Sequence, residues 1–174
     1  NCLIVSSEPD REITKRLYED LCVHAERAGM RACLEYMAIT EVKTLDDALD
    51  VVNAVDHPAG GILVDSFHHE RVGHDPEKIR DIPARWLSYA QLCDMPECGV
   101  VTDPDAYYID AIDGRLAPGE GSVPVAVMAK ALPANLPISL EIRSLHYRET
   151  YRDPLERARA ILAQTQAFFA EHGL

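Results

Sequence analysis

The chain has 174 residues, of which 47% are hydrophobic and 26% charged, enough for one globular domain with a substantial core. With 29 acidic against 17 basic residues and a formal charge of -12, its surface repels phosphate backbones, so no nucleic-acid partner is expected. No apolar run approaches the roughly 20 residues that span a bilayer, so no membrane partner is expected and the cytoplasm is the default location.

Residues 2–6 are predicted as a strand, followed by a helix capped by Asp10 and stopped at Gly29, with Ile13, Leu17, Leu21 and Ala25 as its buried stripe. A second strand is expected at 32–37. Thr44, with Asp47 three residues on, then forms a capping box for a helix whose inward face is Leu45, Ala48, Leu49, Val52 and Val55. Pro58-Ala59-Gly60-Gly61 turns the chain into a strand at 61–65. A polar, His-rich loop from Ser66 to Asp75 and a helical turn near 76–81 lead to a strand at 86–91. The stretch from Leu92 to Gly121 is irregular apart from a helix around 103–112. Residues 123–131 read as a helix, 138–142 as a strand, and Asp153-Pro154 opens the last helix, closed by His172-Gly173.

Strand and helix alternate five times without a hairpin signal, the pattern of parallel βα units. Four apolar runs end on a polar group: Ala32-Cys33-Leu34-Glu35, Gly61-Ile62-Leu63-Val64-Asp65, Leu87-Ser88-Tyr89-Ala90-Gln91 and Ile138-Ser139-Leu140-Glu141. In an open doubly wound sheet only the switch point gathers ligands, whereas in a barrel every strand end faces one mouth. Four such ends out of five favour the barrel. The predicted fold class is α/β, a (β/α)8 TIM barrel of which residues 1–174 form a single domain of about five βα units. Because the chain opens directly on a strand without Met, three further units are expected upstream.

Glu35, Asp65, Gln91 and Glu141 would then converge as an all-oxygen pocket suited to a hard divalent cation. The plain alternative is separate salt bridges, for instance to Arg31 or Arg143. His68 and His69 lie in the loop after Asp65, where one of them could act as acid or base, while His69 and His74 also fit a solvated loop. Arg115, beside the glycine-bounded turn 118–121, could approach a substrate closely. Asp94 reads either as an acceptor near the ligands or as an ordinary loop acid. The five cysteines, Cys2, Cys22, Cys33, Cys93 and Cys98, form no CxxC pair and are expected to be reduced and structural.

At Leu34-Glu35, Val64-Asp65-Ser66-Phe67-His68, Tyr89-Ala90-Gln91-Leu92-Cys93-Asp94, Arg115 with Pro118-Gly119-Glu120-Gly121, and Ser139-Leu140-Glu141, the chain resembles the xylose-isomerase-like TIM-barrel superfamily of sugar phosphate isomerases and epimerases. The resemblance covers essentially the whole chain and would match the family's last five βα units. It implies one Mn²⁺, Mg²⁺ or similar ion on Glu35, Asp65, Gln91 and Glu141. It also implies catalytic roles for Glu35, Glu141 and His68, and substrate contacts from His68, Arg115, Arg71 and Glu41 on a small polyhydroxylated carbonyl compound. Many sugar epimerases carry His at the third ligand position; Gln91 instead resembles the 3-dehydroshikimate dehydratase branch. Isomerase or epimerase chemistry through an enediolate or enolate is therefore the first expectation, with a dehydratase as the alternative. A repair endonuclease of the same barrel type, disfavoured by the negative charge, and a non-catalytic barrel are more distant. The small molecule is the expected partner, and homo-oligomerisation is compatible with the composition.

Overall fold

A computed structural model describes all residues, 1–174. Its centre is a five-stranded sheet of β1 (Cys2–Ile4), β2 (Ala32–Glu35), β3 (Gly60–Asp65), β4 (Ala90–Leu92) and β5 (Ile138–Leu140), all parallel and in the order of the sequence. An open doubly wound sheet reverses its strand order at a switch point. This one does not, so successive right-handed crossovers keep the helices on one face and the sheet curls into part of a TIM barrel. The strands are shorter than the sequence suggested. Residues 84–86 form a 3₁₀ turn, which delays β4 to Ala90.

Pleating sorts the side chains. Ala32, Leu34, Ile62, Val64, Ala90 and Leu92 alternate onto the helix-covered face and join one hydrophobic core. Cys33, Glu35, Leu63, Asp65 and Gln91 have the opposite parity and face the concave side. Cys22, Cys33 and Cys93 are buried, Cys2 is half-buried and Cys98 is exposed, and all five are free thiols.

Helices α1 (Arg11–Arg27) and α2 (Leu45–Val55) begin at the predicted caps: Asp10 accepts from the N–H groups of Glu12 and Ile13, and Thr44 and Asp47 form the capping box. The predicted stripe of α1 is corrected. Leu17 and Leu21 are exposed, and Thr14, Tyr18 and Cys22 are the buried positions. Tyr18 sets this rotation: its hydroxyl lies 2.8 Å from Ala32 O and 3.0 Å from Gly61 O, and accepts from Gly61 N–H at 2.8 Å. The helix thereby bonds both β2 and β3 through one buried group. Gly60 permits the close approach, since a Cβ there would stand 3.1 Å from the Tyr18 hydroxyl. No helix is long and apolar enough to cross a membrane.

The predicted polar loop after Asp65 is instead α3 (Ser66–Arg71), whose Ser66, Phe67, His68, His69 and Arg71 are buried. Beyond it lie α4 (Pro104–Asp113), α5 (Val125–Ala131), α6 (Leu145–Thr150), which the sequence reading did not anticipate, and α7 (Pro154–His172). His69 and His74 belong to a packed network rather than a solvated loop. His69 Nε2 faces Asp75 O at 3.1 Å, a pure acceptor, so Nε2 carries the hydrogen and Nδ1 accepts from the Tyr36 hydroxyl at 2.6 Å. His74 Nε2 accepts from Leu45 N–H at the start of α2.

His74 must be neutral to accept that bond, and burial depresses both imidazoles, His69 to about 4. The unfolded chain takes up a proton near the ordinary value of about 6.5. Between these values the unfolded state binds more protons, so stability is lost as pH falls through the window. For His69 alone the loss from pH 7 to pH 5 is about 2 kcal/mol. Urea midpoints across that range should fall accordingly, and the fall should shrink in His69→Gln. An equal pH slope in that variant would refute the assignment.

Candidate functional site

Asp65 is the hinge of the site. It ends β3 and caps α3, its Oδ1 accepting from the N–H groups of Phe67 (2.7 Å) and His68 (3.4 Å). Its Oδ2 accepts from Arg115 Nη1 at 2.8 Å. The register pairs Asp65 with Gln91, Gln91 with Ser139, and Glu35 with Leu63, so Glu35 lies one pleat below Asp65 and Glu141 one pleat above Ser139. All four predicted donors thus have concave-side parity at one rim. Glu35, Asp65 and His68 offer ligand atoms within 4.8 Å of one another, with His68 Nε2 3.8 Å from Glu35 Oε1. Glu141 Oε2 lies 3.5 Å from Arg115 Nη1.

Burial and charge divide these groups. Burial, then Asp65 and Glu141, push the Glu35 carboxyl up to about 9, against a smaller pull from Arg115. Burial alone would raise Asp65 too, but Arg115, His68 and the Phe67 N–H hold it below the usual carboxylate range. Glu141 is raised, chiefly by burial and partly offset by Arg115. His68 falls to about 4 because burial and Arg115 outweigh the attraction of Asp65.

Arg115 is delivered by the long segment between β4 and β5. Its Nε donates to Ala111 O (3.0 Å), and Nη1 also donates to Glu141 O (3.2 Å). Its guanidinium stacks 4.7 Å above the Phe67 ring and is only 2% exposed. Nη1 is the nitrogen that meets the carboxylates, Asp65 Oδ2 and Glu141 Oε2, while Nη2, 3.5 Å from His68 Nε2, is less committed. Asp94 is neither an ordinary loop acid nor one of the rim donors. It is buried and accepts from the N–H groups of Gly119 (3.1 Å), Gly121 (2.9 Å) and Val123 (2.8 Å), and its backbone exchanges two bonds with Leu116. That carboxylate folds the 118–121 turn and fixes the residue next to Arg115.

Two predicted substrate contacts lie elsewhere. Arg71 is buried, bonded to Asp110 and to the carbonyls of Glu97 and Gly99, and Glu41 sits 3.6 Å from Lys43 Nζ. Both line a separate cleft of about 600 Å³, bounded by Tyr107. Tyr107 is the residue the sequence reading missed: its hydroxyl lies 2.5 Å from His68 Nδ1. Only the α4 periodicity pointed there, and it cannot say which face meets the site.

The donors fit a hard divalent cation. The only buried side-chain acceptor atoms without a hydrogen-bond partner are Glu35 Oε1 and Gln91 Oε1, both at this rim. Three carboxylates against one Arg115 leave a deficit of two positive charges when all are ionised. An all-oxygen set of this kind suits Mn²⁺ or Mg²⁺.

The model of the xylose isomerase-like TIM barrel family matches residues 6–168. The chain belongs to this family. It is 33% identical over 134 residues to a 3-dehydroshikimate dehydratase of Pseudomonas putida, covering 72% of this chain and 20% of that protein. It is 24% identical over 163 residues to an inosose isomerase of Bacillus velezensis, covering 89% of this chain and 55% of that one. The chain thus spans about a fifth of the dehydratase and about half of the isomerase. Among solved structures, the IolI protein with a bound zinc atom superposes with a TM-score of 0.73 at 18% identity, covering 98% of this chain and 62% of that one. These family relatives are enzymes: dehydratases, isomerases and epimerases.

The two buried acids differ in what holds them, so their amides should behave differently. Glu35 has an unpaired oxygen and a carboxyl opposed by burial, so Glu35→Gln should leave stability unchanged or raised while Mn²⁺ affinity falls at least tenfold. Asp65→Asn strips Arg115 of its closest partner and should cost roughly 3–5 kcal/mol as well as the ion. Denaturation and calorimetric Mn²⁺ titration of the intact protein check both; equal stabilities, or undiminished affinity in Glu35→Gln, would contradict the site.

Proposed function

We propose that this rim is the metal and proton-transfer centre of an enzyme acting on a small polyhydroxylated carbonyl compound. Glu35, Asp65, Gln91 and Glu141 would hold one divalent ion, Mn²⁺, Mg²⁺ or similar. The reading rests on the two orphaned oxygens of Glu35 and Gln91, buried beside Asp65 and Glu141. When bound, such an ion supplies a Lewis acid and template for neighbouring carbonyl and hydroxyl oxygens.

The chain's own residues supply the rest. His68, neutral at pH 7 and 3.8 Å from Glu35, is placed to move a proton at the carbon next to the carbonyl, with Glu35 or Glu141 as its carboxylate counterpart. Arg115 Nη2 is the donor left for a substrate oxyanion. Glu41 and Arg71, in the adjoining cleft, would meet only the distal part of a substrate. Returning the proton to the same or a neighbouring carbon gives epimerisation or isomerisation, the first reading. Loss of a β-hydroxyl from the same enolate gives dehydration.

Dehydration is the second reading, and two observations favour it. Gln91 is neutral and cannot relay a proton as imidazole can, which suits a reaction with one dominant base. The 33% identity is to a 3-dehydroshikimate dehydratase. The intact protein with Mn²⁺ should either turn 3-dehydroshikimate into an aromatic, ultraviolet-absorbing product or exchange hydrogen with solvent on an inosose or ketose. An aromatic product selects dehydration, and exchange or epimer formation without it selects isomerisation. Neither, with Mn²⁺ bound, would overturn the proposal.

A further inference from the structure

The arginines that the sequence offered to a substrate are already paired inside the fold. Arg115 faces Asp65 and Glu141, and Arg71 faces Asp110. Arg148 on α6 is bonded to Asp113, and Lys43 lies beside Glu41. Arg143 differs from all of these. It stands two residues past Glu141, exposed, and its guanidinium enters no ion pair or hydrogen bond; the acid nearest it in sequence, Glu141, pairs with Arg115 instead.

The backbone around Arg143 sets its direction. Leu140 and Ile142 line one groove with Ala158 and Ile161 of α7, so alternation turns Ser139, Glu141 and Arg143 the other way, toward the concave side. The Arg115 N–H donates to Arg143 O at 3.2 Å, and Ser144 bridges to Gly114 and accepts from Tyr147 N–H as the cap of α6. The main chain on either side is thus fastened while the guanidinium stays free. Its charge is close enough to Glu141 to favour the ionised carboxyl there.

We propose that Arg143 is a specificity-determining residue that holds one carboxylate of the substrate, so that the compound acted on is a hydroxylated carbonyl acid rather than a neutral sugar. On the reading of the rim given above, charge selects this class. The three carboxylates and Arg115 leave a deficit of two positive charges, which one divalent ion fills. Arg143 is then a single surplus cation beside a neutral rim. A carboxylate matches it, whereas a phosphate monoester, at about -1.5 to -2, exceeds it. A guanidinium grips a carboxylate through two parallel hydrogen bonds, which fixes orientation as well as affinity. Arg115 Nη2 remains for the oxygen of the reacting carbonyl.

The test is calorimetric titration of the intact protein, loaded with Mn²⁺, with shikimate and with its uncharged methyl ester. Shikimate carries one carboxylate on a hydroxylated ring and has no carbonyl to react. The parent protein should bind it at least tenfold more tightly than the ester. Arg143→Gln should weaken shikimate about tenfold, leave the ester within about twofold and leave Mn²⁺ affinity undiminished. Arg143→Lys should recover part of the loss, as charge without the planar fork. No binding of shikimate, equal affinity for acid and ester, or unaltered shikimate affinity in Arg143→Gln would overturn the proposal. Inorganic phosphate binding more tightly than shikimate, and losing that affinity in Arg143→Gln, would overturn the carboxylate assignment. Acid-over-ester preference lost in Arg143→Gln, in a protein that turns over none of the substrates above, would support the carboxylate contact and overturn the reaction. Turnover of a neutral ketose at the same kcat/KM in the parent and in Arg143→Gln, with acid and ester bound alike, would do the reverse.

Discussion

Three carboxylates meet at the rim of one curled sheet, Glu35 and Asp65 buried and Glu141 half-buried, and the surrounding structure is arranged around their mutual repulsion. Like charges a few ångströms apart in a dry pocket repel by several kcal/mol. Arg115 is the resident answer, 2.8 Å from Asp65 and 3.5 Å from Glu141. Its reach is set by the long segment between β4 and β5, and the buried Asp94 carboxylate folds the turn that follows it. One cation does not balance three acids, and the imbalance is relieved at Glu35, whose carboxyl retains its proton in the absence of another positive charge.

This division gives two acids of one chemical type different states. Asp65, capped by backbone N–H groups and paired with Arg115, is fixed as an anion. Glu35, with no partner on Oε1, is not. Pairs of titratable groups whose environments push them apart are what proton-transfer sites are built from. Glu35, close to His68, is of that kind, and the structure supplies no other reason to bury it.

Much of this was legible because strand ends announce themselves. A buried apolar run that closes on a carboxylate or amide has few explanations, and four in order gave the sheet and its barrel-like winding. Three features were hidden for separate physical reasons. The rotation of α1 depends on the Tyr18 hydroxyl reaching two strand backbones, which hydrophobic periodicity does not record. Helix α3 reads as polar because its histidines and Arg71 are buried through hydrogen bonds rather than apolar contact. Tyr107 meets His68 across 39 residues of sequence, a contact that no local pattern encodes. Arg115 was found by its glycine-bounded turn, but its direction, inward onto Asp65, needed the fold.

The most direct measurement is an anomalous-diffraction map of crystals of the intact protein soaked in Mn²⁺. One peak per chain is expected, about 2.0–2.4 Å from oxygens of Glu35, Asp65, Gln91 and Glu141. No peak at this rim, or an ion held by Glu35, Asp65 and His68 with the Gln91 amide turned away, would contradict it.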